Sequence, residues 1–294
     1  MTPLAPADSF GARLRLDVAC GLSLLTRLPV GWLLSPAQRA STALWPMGRS
    51  IWCWPILGGM IGALVGAVFY LLRLGHVAAL PAAGLALAFQ CVLSGGLHED
   101  GLADMADGCG GQNRERRLDI MRDSRIGSYG VLALCLSVLV RASAIADLPA
   151  GMAVLALAVS GCLARAVLLV LPACLPPARP DGLARSLSPL PRGPLCVGLV
   201  LAGVSVVGLA AGLALGLTGP EMSNALRGVA DTLPAALPGS GSLGSGLSAL
   251  LIILWPITAS LAASALVGAA ARRLLGGYTG DVLGAAAVLT ECFV

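Results

Sequence analysis

Residues 150–172 read AGMAVLALAVSGCLARAVLLVLP, a run of 23 residues whose single charge is Arg165. An α-helix crosses the hydrocarbon core of a bilayer with ~20 mostly apolar residues, so this stretch is long enough to span. Stretches of the same kind lie on both sides of it, at roughly 54–72, 77–97, 129–147, 194–217 and 247–271. The tight turn Leu148–Pro149–Ala150 joins the third span to the fourth. The composition agrees with this reading. Of 294 residues, 57% are hydrophobic and 12% charged, and the mean hydropathy is +0.87. A soluble domain is about 25% charged, so this chain has too few charges to wet its own surface. That excludes a soluble globular protein, a disordered chain and a nucleic-acid binder with a basic face. The expected fold is all-α: one polytopic helical domain, residues 1–294, embedded in the lipid bilayer with six to seven transmembrane helices.

The segments between the spans set orientation. All 19 basic residues are arginine. The abundance of Ala, Gly, Leu and Arg points to genomic composition as the source of that bias. Segments 1–50, 98–128, 173–193 and 272–281 hold five, five, three and two arginines, which is 15 of the 19. With six spans these four segments fall on one side, and the positive-inside rule makes that side the cytoplasm of a cell inner membrane. Residues 1–50 read as an interfacial or re-entrant helix followed by loop, and 272–294 end in a short apolar helix. The connection 218–246 ends in the Gly/Ser/Pro-rich LPGSGSLGSG. The N-terminus lacks the basic start, apolar run and cleavage site of a signal peptide, so the first span is expected to stay in the mature protein. The nine cysteines are scattered singly without a CxxC pair and read as small packing residues rather than a disulfide framework. The oligomeric state stays open, a homo-oligomer included.

The chemistry concentrates in the polar segment after the second span. Seven of 15 acidic residues lie within 98–125: Glu99, Asp100, Asp104, Asp107, Glu115, Asp119 and Asp123. Asp100, Asp104 and Asp107 stand at i, i+4 and i+7, within about 60° of one another on a helix. Three carboxylates on one face repel, and a divalent cation is the simplest way to keep all of them ionised. An all-oxygen donor set suits Mg²⁺ or Mn²⁺ rather than Zn²⁺. Asp123 can complete the set, and the interleaved Arg122 and Arg125 are natural partners of phosphate. Glu115, Arg116, Arg117 and Asp119 read instead as a solvated loop paired at helical spacing. His98 is either a catalytic base or substrate contact, or an interface residue. Arg165, inside a span, is either a site residue or half of a structural ion pair. Arg141, also inside a span, has no obvious partner and reads as structural.

The string GGLHEDGLADMADG (95–108), followed by ERRLDIMRDSRIGSYG (115–130), closely resembles the signature of the cobalamin-5′-phosphate synthases, also called adenosylcobinamide-GDP ribazoletransferases. The likeness extends to LTRLPV (25–30), ARPDGLARS (178–186) and GGYTGDVLGA (276–285). It implies a membrane-bound, Mg²⁺-dependent transferase acting in the last part of cobalamin biosynthesis. In that reaction a hydroxyl of α-ribazole, or of its 5′-phosphate, attacks adenosylcobinamide-GDP and GMP leaves. Set on this sequence, the resemblance implies metal ligands at Asp100, Asp104, Asp107 and Asp123, a base at His98 or a carboxylate, and phosphate contacts at Arg122 and Arg125, while Tyr278, Thr279 and Asp281 either contact the substrate or close the site; Arg165 and Asp123 are further candidate substrate contacts. Glu99 departs from the pattern, where an apolar residue is expected. Two other classes compete. A CDP-alcohol phosphotransferase would show AR after Asp100–Gly101, and it is absent here. A transporter would place its acids near mid-membrane rather than at a span end.

Overall fold

A computed structural model describes residues 9–40, 45–214 and 242–294. Ten helices of seven residues or more stand out among the described residues. They are α1 Phe10–Leu25, α2 Trp54–Leu74, α3 Ala79–Ser94, α4 Leu97–Gly108, α5 Arg114–Ile120, α6 Ser128–Asp147, α7 Ala150–Cys174, α8 Arg192–Ala214, α9 Ser242–Leu275 and α10 Gly280–Phe293. No strand occurs among them; one isolated parallel bridge joins Pro177 to Tyr278. Four stretches are long and apolar enough to cross a membrane: Met47–Leu74, Ser128–Asp147, Ala150–Cys174 and Leu254–Leu275. The bent pair α3–α4 makes a fifth candidate. The span expected at 194–217 begins in α8 and runs past residue 214, and most of the 218–246 connection lies outside the described residues.

The central helix is α7, which packs against α2, α8, α9 and α10. Its tightest partner is α2, and the sequence explains why. Gly58, Gly62 and Gly66 repeat at every fourth position, which stacks them on one face of α2. They lie directly against Gly161, Leu157 and Val154 of α7, leaving no room for a Cβ. Lipid offers no hydrophobic drive between helices, so close backbone approach at small residues supplies the association.

The second span does not run straight into the polar segment. Gly95 and Gly96 both take left-handed φ values, 70° and 69°, which side chains rarely adopt. The chain bends there by 93°. Consequently α4 leaves the direction of α3 and carries its aspartates away from the axis of that helix. The tail, expected as a short apolar helix, is one: α10 packs against α4, α6, α7 and α9.

Candidate functional site

The three aspartates of α4 do share a face, but their environments differ. Asp100 is exposed, and Asp104 and Asp107 are half-buried. Asp107 accepts backbone N–H bonds from Gly127 at 2.7 Å and Gly130 at 2.8 Å. It thereby satisfies free donors at the start of α6. A Cβ at either glycine would collide with that carboxylate. Asp107 is therefore already engaged, whereas the side chains of Asp100 and Asp104 form no hydrogen bond or ion pair among the described residues.

The carboxylate that joins them comes from α10. Thr279 caps that helix by accepting from Val282 N–H, and Asp281 sits in the first turn. Helices α4 and α10 meet at a glycine contact. A Cβ on Gly101 would lie 2.8 Å from the Asp281 carbonyl oxygen, and one on Gly284 would lie 3.1 Å from that of His98. Close approach of the backbones brings Asp281 into electrostatic reach of Asp100 and Asp104. Burial, reinforced by the charges of Asp100, Asp281 and Asp107, pushes the Asp104 carboxyl up to about 7. Burial likewise raises Asp281, opposed by the nearby Arg179.

Behind Asp281, the loop after α7 is pinned in place. Tyr278 N–H donates to the Pro176 carbonyl at 2.9 Å, and Ala178 N–H to the Tyr278 carbonyl at 2.8 Å. The buried Tyr278 hydroxyl donates to the Ala184 carbonyl at 3.1 Å. Arg114 donates to both the Leu275 and Ala178 carbonyls at 2.7 Å, so this part of the arginine-rich segment is anchored rather than simply solvated. Arg179, within the ARPDG string, donates to the Leu118 carbonyl at 2.9 Å and lies 3.8 Å from the Asp281 carboxylate. A cavity of about 270 Å³ opens here, lined by His98, Asp100, Arg179, Tyr278, Thr279 and Asp281.

Among the remaining expected residues, Asp123 pairs with Arg125 at 2.6 Å, and those hydrogen bonds hold its carboxyl down to about 2. Arg122 pairs with Asp181 at 2.8 Å across the exposed rim. None of Arg122, Asp123 and Arg125 lines the cavity. Arg165 is buried and ion-paired with Glu291. Arg141 does have partners: Glu99 at 3.1 Å and Glu291 at 2.9 Å. His98 is buried, lines the cavity, and its Nδ1 has no hydrogen-bond partner. Arg179 and Glu291 were not singled out from the sequence. The ARPDG string was the only signal for Arg179. Glu291 had none, because its partners lie 126, 150 and 201 positions away.

No three His, Cys, Asp or Glu side chains among the described residues form a ready-made metal cluster. Magnesium does not require one: it keeps several waters and is bound by one or two carboxylates together with substrate phosphates. Asp100 and Asp104, unpartnered oxygen donors crowded by Asp281, fit that chemistry.

The chain matches the family described as cobalamin-5-phosphate synthase over residues 17–294. It is 39% identical to the adenosylcobinamide-GDP ribazoletransferase of Bradyrhizobium diazoefficiens over 92% of this chain and 87% of that one. With the enzyme of the same name from Azorhizobium caulinodans it shares 37% identity over 95% and 94%. With that of Rhizobium etli it shares 36% over 94% and 93%. No solved structure matches. A match that takes in the site helices, the loop after α7 and the tail, with relatives covered nearly end to end, places this chain in the cobalamin-5-phosphate synthase family.

Proposed function

We propose that the chain is a membrane-embedded adenosylcobinamide-GDP ribazoletransferase whose site is the cavity between α4, α10 and the loop after α7. The hydroxyl oxygen of α-ribazole, or of its 5′-phosphate, bonds to the phosphorus carried by cobinamide. The P–O bond to GMP breaks, and a phosphodiester remains. The observation that carries this reading is the meeting of Asp100, Asp281 and Arg179 at one cavity, with Asp104 in electrostatic reach of all three: carboxylates for a cation beside a guanidinium for phosphate. Asp100 and Asp104 would hold Mg²⁺ with Asp281 beside them, and the bound ion would supply Lewis-acid stabilisation of the pyrophosphate. Arg179 neutralises charge on the phosphoryl oxygens. His98 or a neighbouring carboxylate takes the hydroxyl proton. The site faces the cytoplasm of the inner membrane, where the arginine-rich segments gather.

The experiment is direct. Purified protein in liposomes receives adenosylcobinamide-GDP with α-ribazole or its phosphate. GMP and a cobalamin product are expected, lost in EDTA and recovered with excess Mg²⁺. Absence of GMP release would overturn the reading, and full rate in EDTA would overturn the metal. A lipid-making phosphotransferase or a transporter would leave adenosylcobinamide-GDP intact.

A further inference from the structure

One carboxylate deep in the helix bundle ties together more of the protein than any other polar group described. Glu291, on α10, accepts from Gln90 of α3 at 2.8 Å, from Arg141 of α6 at 2.9 Å and from Arg165 of α7. The Nη1 of Arg141 also reaches Glu99 of α4 at 3.1 Å. Glu99, Arg141 and Arg165 are all less than a tenth exposed. Two acids and two arginines balance, as a group buried among apolar helices must. Neither Glu99, Arg141 nor Glu291 lines the cavity beside Asp100; Arg141 and Glu291 border a separate cavity of about 110 Å³.

The helix geometry gives this network a consequence. Glu99 and Asp100 are consecutive, so their side chains leave α4 about 100° apart and turn together. Anchoring Glu99 therefore fixes the rotation of α4, and with it the face that carries Asp100 and Asp104. Glu291 does the same for α10, whose first turn carries Asp281. The glycine contact at Gly101 and Gly284 sets how closely the two helices approach, Leu102 packs against Ala285 and Val288, and Asp107 holds α4 to the start of α6. Arg141 adds a charged restraint that reaches both helices by bridging both acids.

We propose that Glu99, Arg141 and Glu291 form a clamp that fixes α4 against α10, and that these three are positioning residues for Asp100, Asp104 and Asp281. The kinetic half of the test rests on the transferase reading above; the exchange half does not.

Full-length protein in nanodiscs is compared as wild type, Glu99→Gln, the charge-balanced double Glu99→Gln/Arg141→Gln, and Phe69→Leu. Phe69 is buried in a separate cluster of α2, α3, α6 and α7 and controls for general loosening. Amide exchange read by mass spectrometry should rise about ten-fold or more over 97–107 and 280–287 in Glu99→Gln, with the interiors of α2 and α7 within about two-fold of wild type. The double variant also lacks the bridge, so exchange over the same segments should stay raised although its charge is balanced; protection regained there would mean that the unpaired Arg141 charge, not a lost clamp, loosened the helices, and would overturn the proposal. Phe69→Leu should melt earlier without that local pattern. Turnover of Glu99→Gln should fall about ten- to hundred-fold, the scale of a small misplacement of reacting groups, while KM for α-ribazole stays within about two-fold. Exchange unchanged or raised uniformly in Glu99→Gln would overturn the clamp, as would wild-type kcat. Should Glu99→Gln not fold, Glu99→Asp, which keeps the charge and shortens the reach, is judged by the same criteria. An inactive wild type would overturn the transferase reading, and the exchange pattern would still decide the clamp.

Discussion

Asp104 stands between Asp100 and Asp107 on one face of α4, and Asp281 approaches it from α10. With its carboxyl raised to about 7, it is the group in this cluster least able to stay ionised without a cation. Asp104→Asn preserves size and hydrogen bonding but removes that charge. Turnover should fall by roughly two orders of magnitude or more, a loss of about 3 kcal/mol of transition-state stabilisation, partly recovered at high Mg²⁺. Asp119→Asn, exposed on α5, should stay within about two-fold of wild type, the usual range for surface changes. A folded Asp104→Asn protein with normal turnover at low Mg²⁺ would place the metal elsewhere. At this scale the sequence was informative where placement follows helical spacing: Asp100 and Asp104 do share one face of α4. It was blind where a distant element decides. Arg141 seemed to have no partner because Glu99 lies 42 positions before it and Glu291 lies 150 after it. Spacing placed Asp107 on the face of Asp104 and offered Asp123 as a fourth ligand; packing shows Asp107 bonded to the start of α6 and Asp123 paired with Arg125.

The helices themselves were legible from apolar run length, and the turn at Leu148–Pro149–Ala150 lies between α6 and α7 as expected. What the runs did not reveal was the 93° bend, because Gly95–Gly96 sits at the edge of an otherwise continuous apolar stretch. Nor did they show which helix faces which; that depends on the glycine face of α2. The α2–α7 contact supports the test at this scale. Gly62→Leu would drive its side chain into the Leu157 backbone, and backbone cannot yield as a flexible side chain can. The expected result is loss of the monodisperse, heat-resistant species in detergent. Gly84→Ala is the counterpart: nothing lies near a Cβ there, and replacing a helical glycine stabilises by about 1 kcal/mol at most. Its melting temperature should hold or rise. A Gly62→Leu protein that melts like wild type would mean α2 and α7 are not packed backbone to backbone.

At the scale of the molecule, the arginine count and the packing reach the same arrangement by separate routes. The four arginine-rich segments are far apart in sequence, yet they meet. Arg114, from the second, donates to the carbonyls of Leu275 in the fourth and Ala178 in the third. Leu24 and Met47, from the first, line the same cavity as Arg179 and Asp281. Arg73, one of the few arginines outside these segments, instead closes the short turn between α2 and α3 by donating to Val77 at 2.7 Å. The positive-inside rule gives the expectation that this end of the bundle lies in the cytoplasm. Cys109 offers a direct measurement, since it is exposed just beyond α4. In a protein keeping Cys109 and losing the other eight cysteines, an impermeant thiol reagent added to intact cells should leave it unlabelled. The same reagent should label it fully in inverted vesicles. Activity of that variant, assayed first, guards against a misfolded protein. Burial raises the thiol pKa, so the labelling is run at mildly alkaline pH, where more thiolate forms. Labelling of Cys109 from outside intact cells would invert the topology and put the carboxylate cavity on the face away from nucleotide substrates.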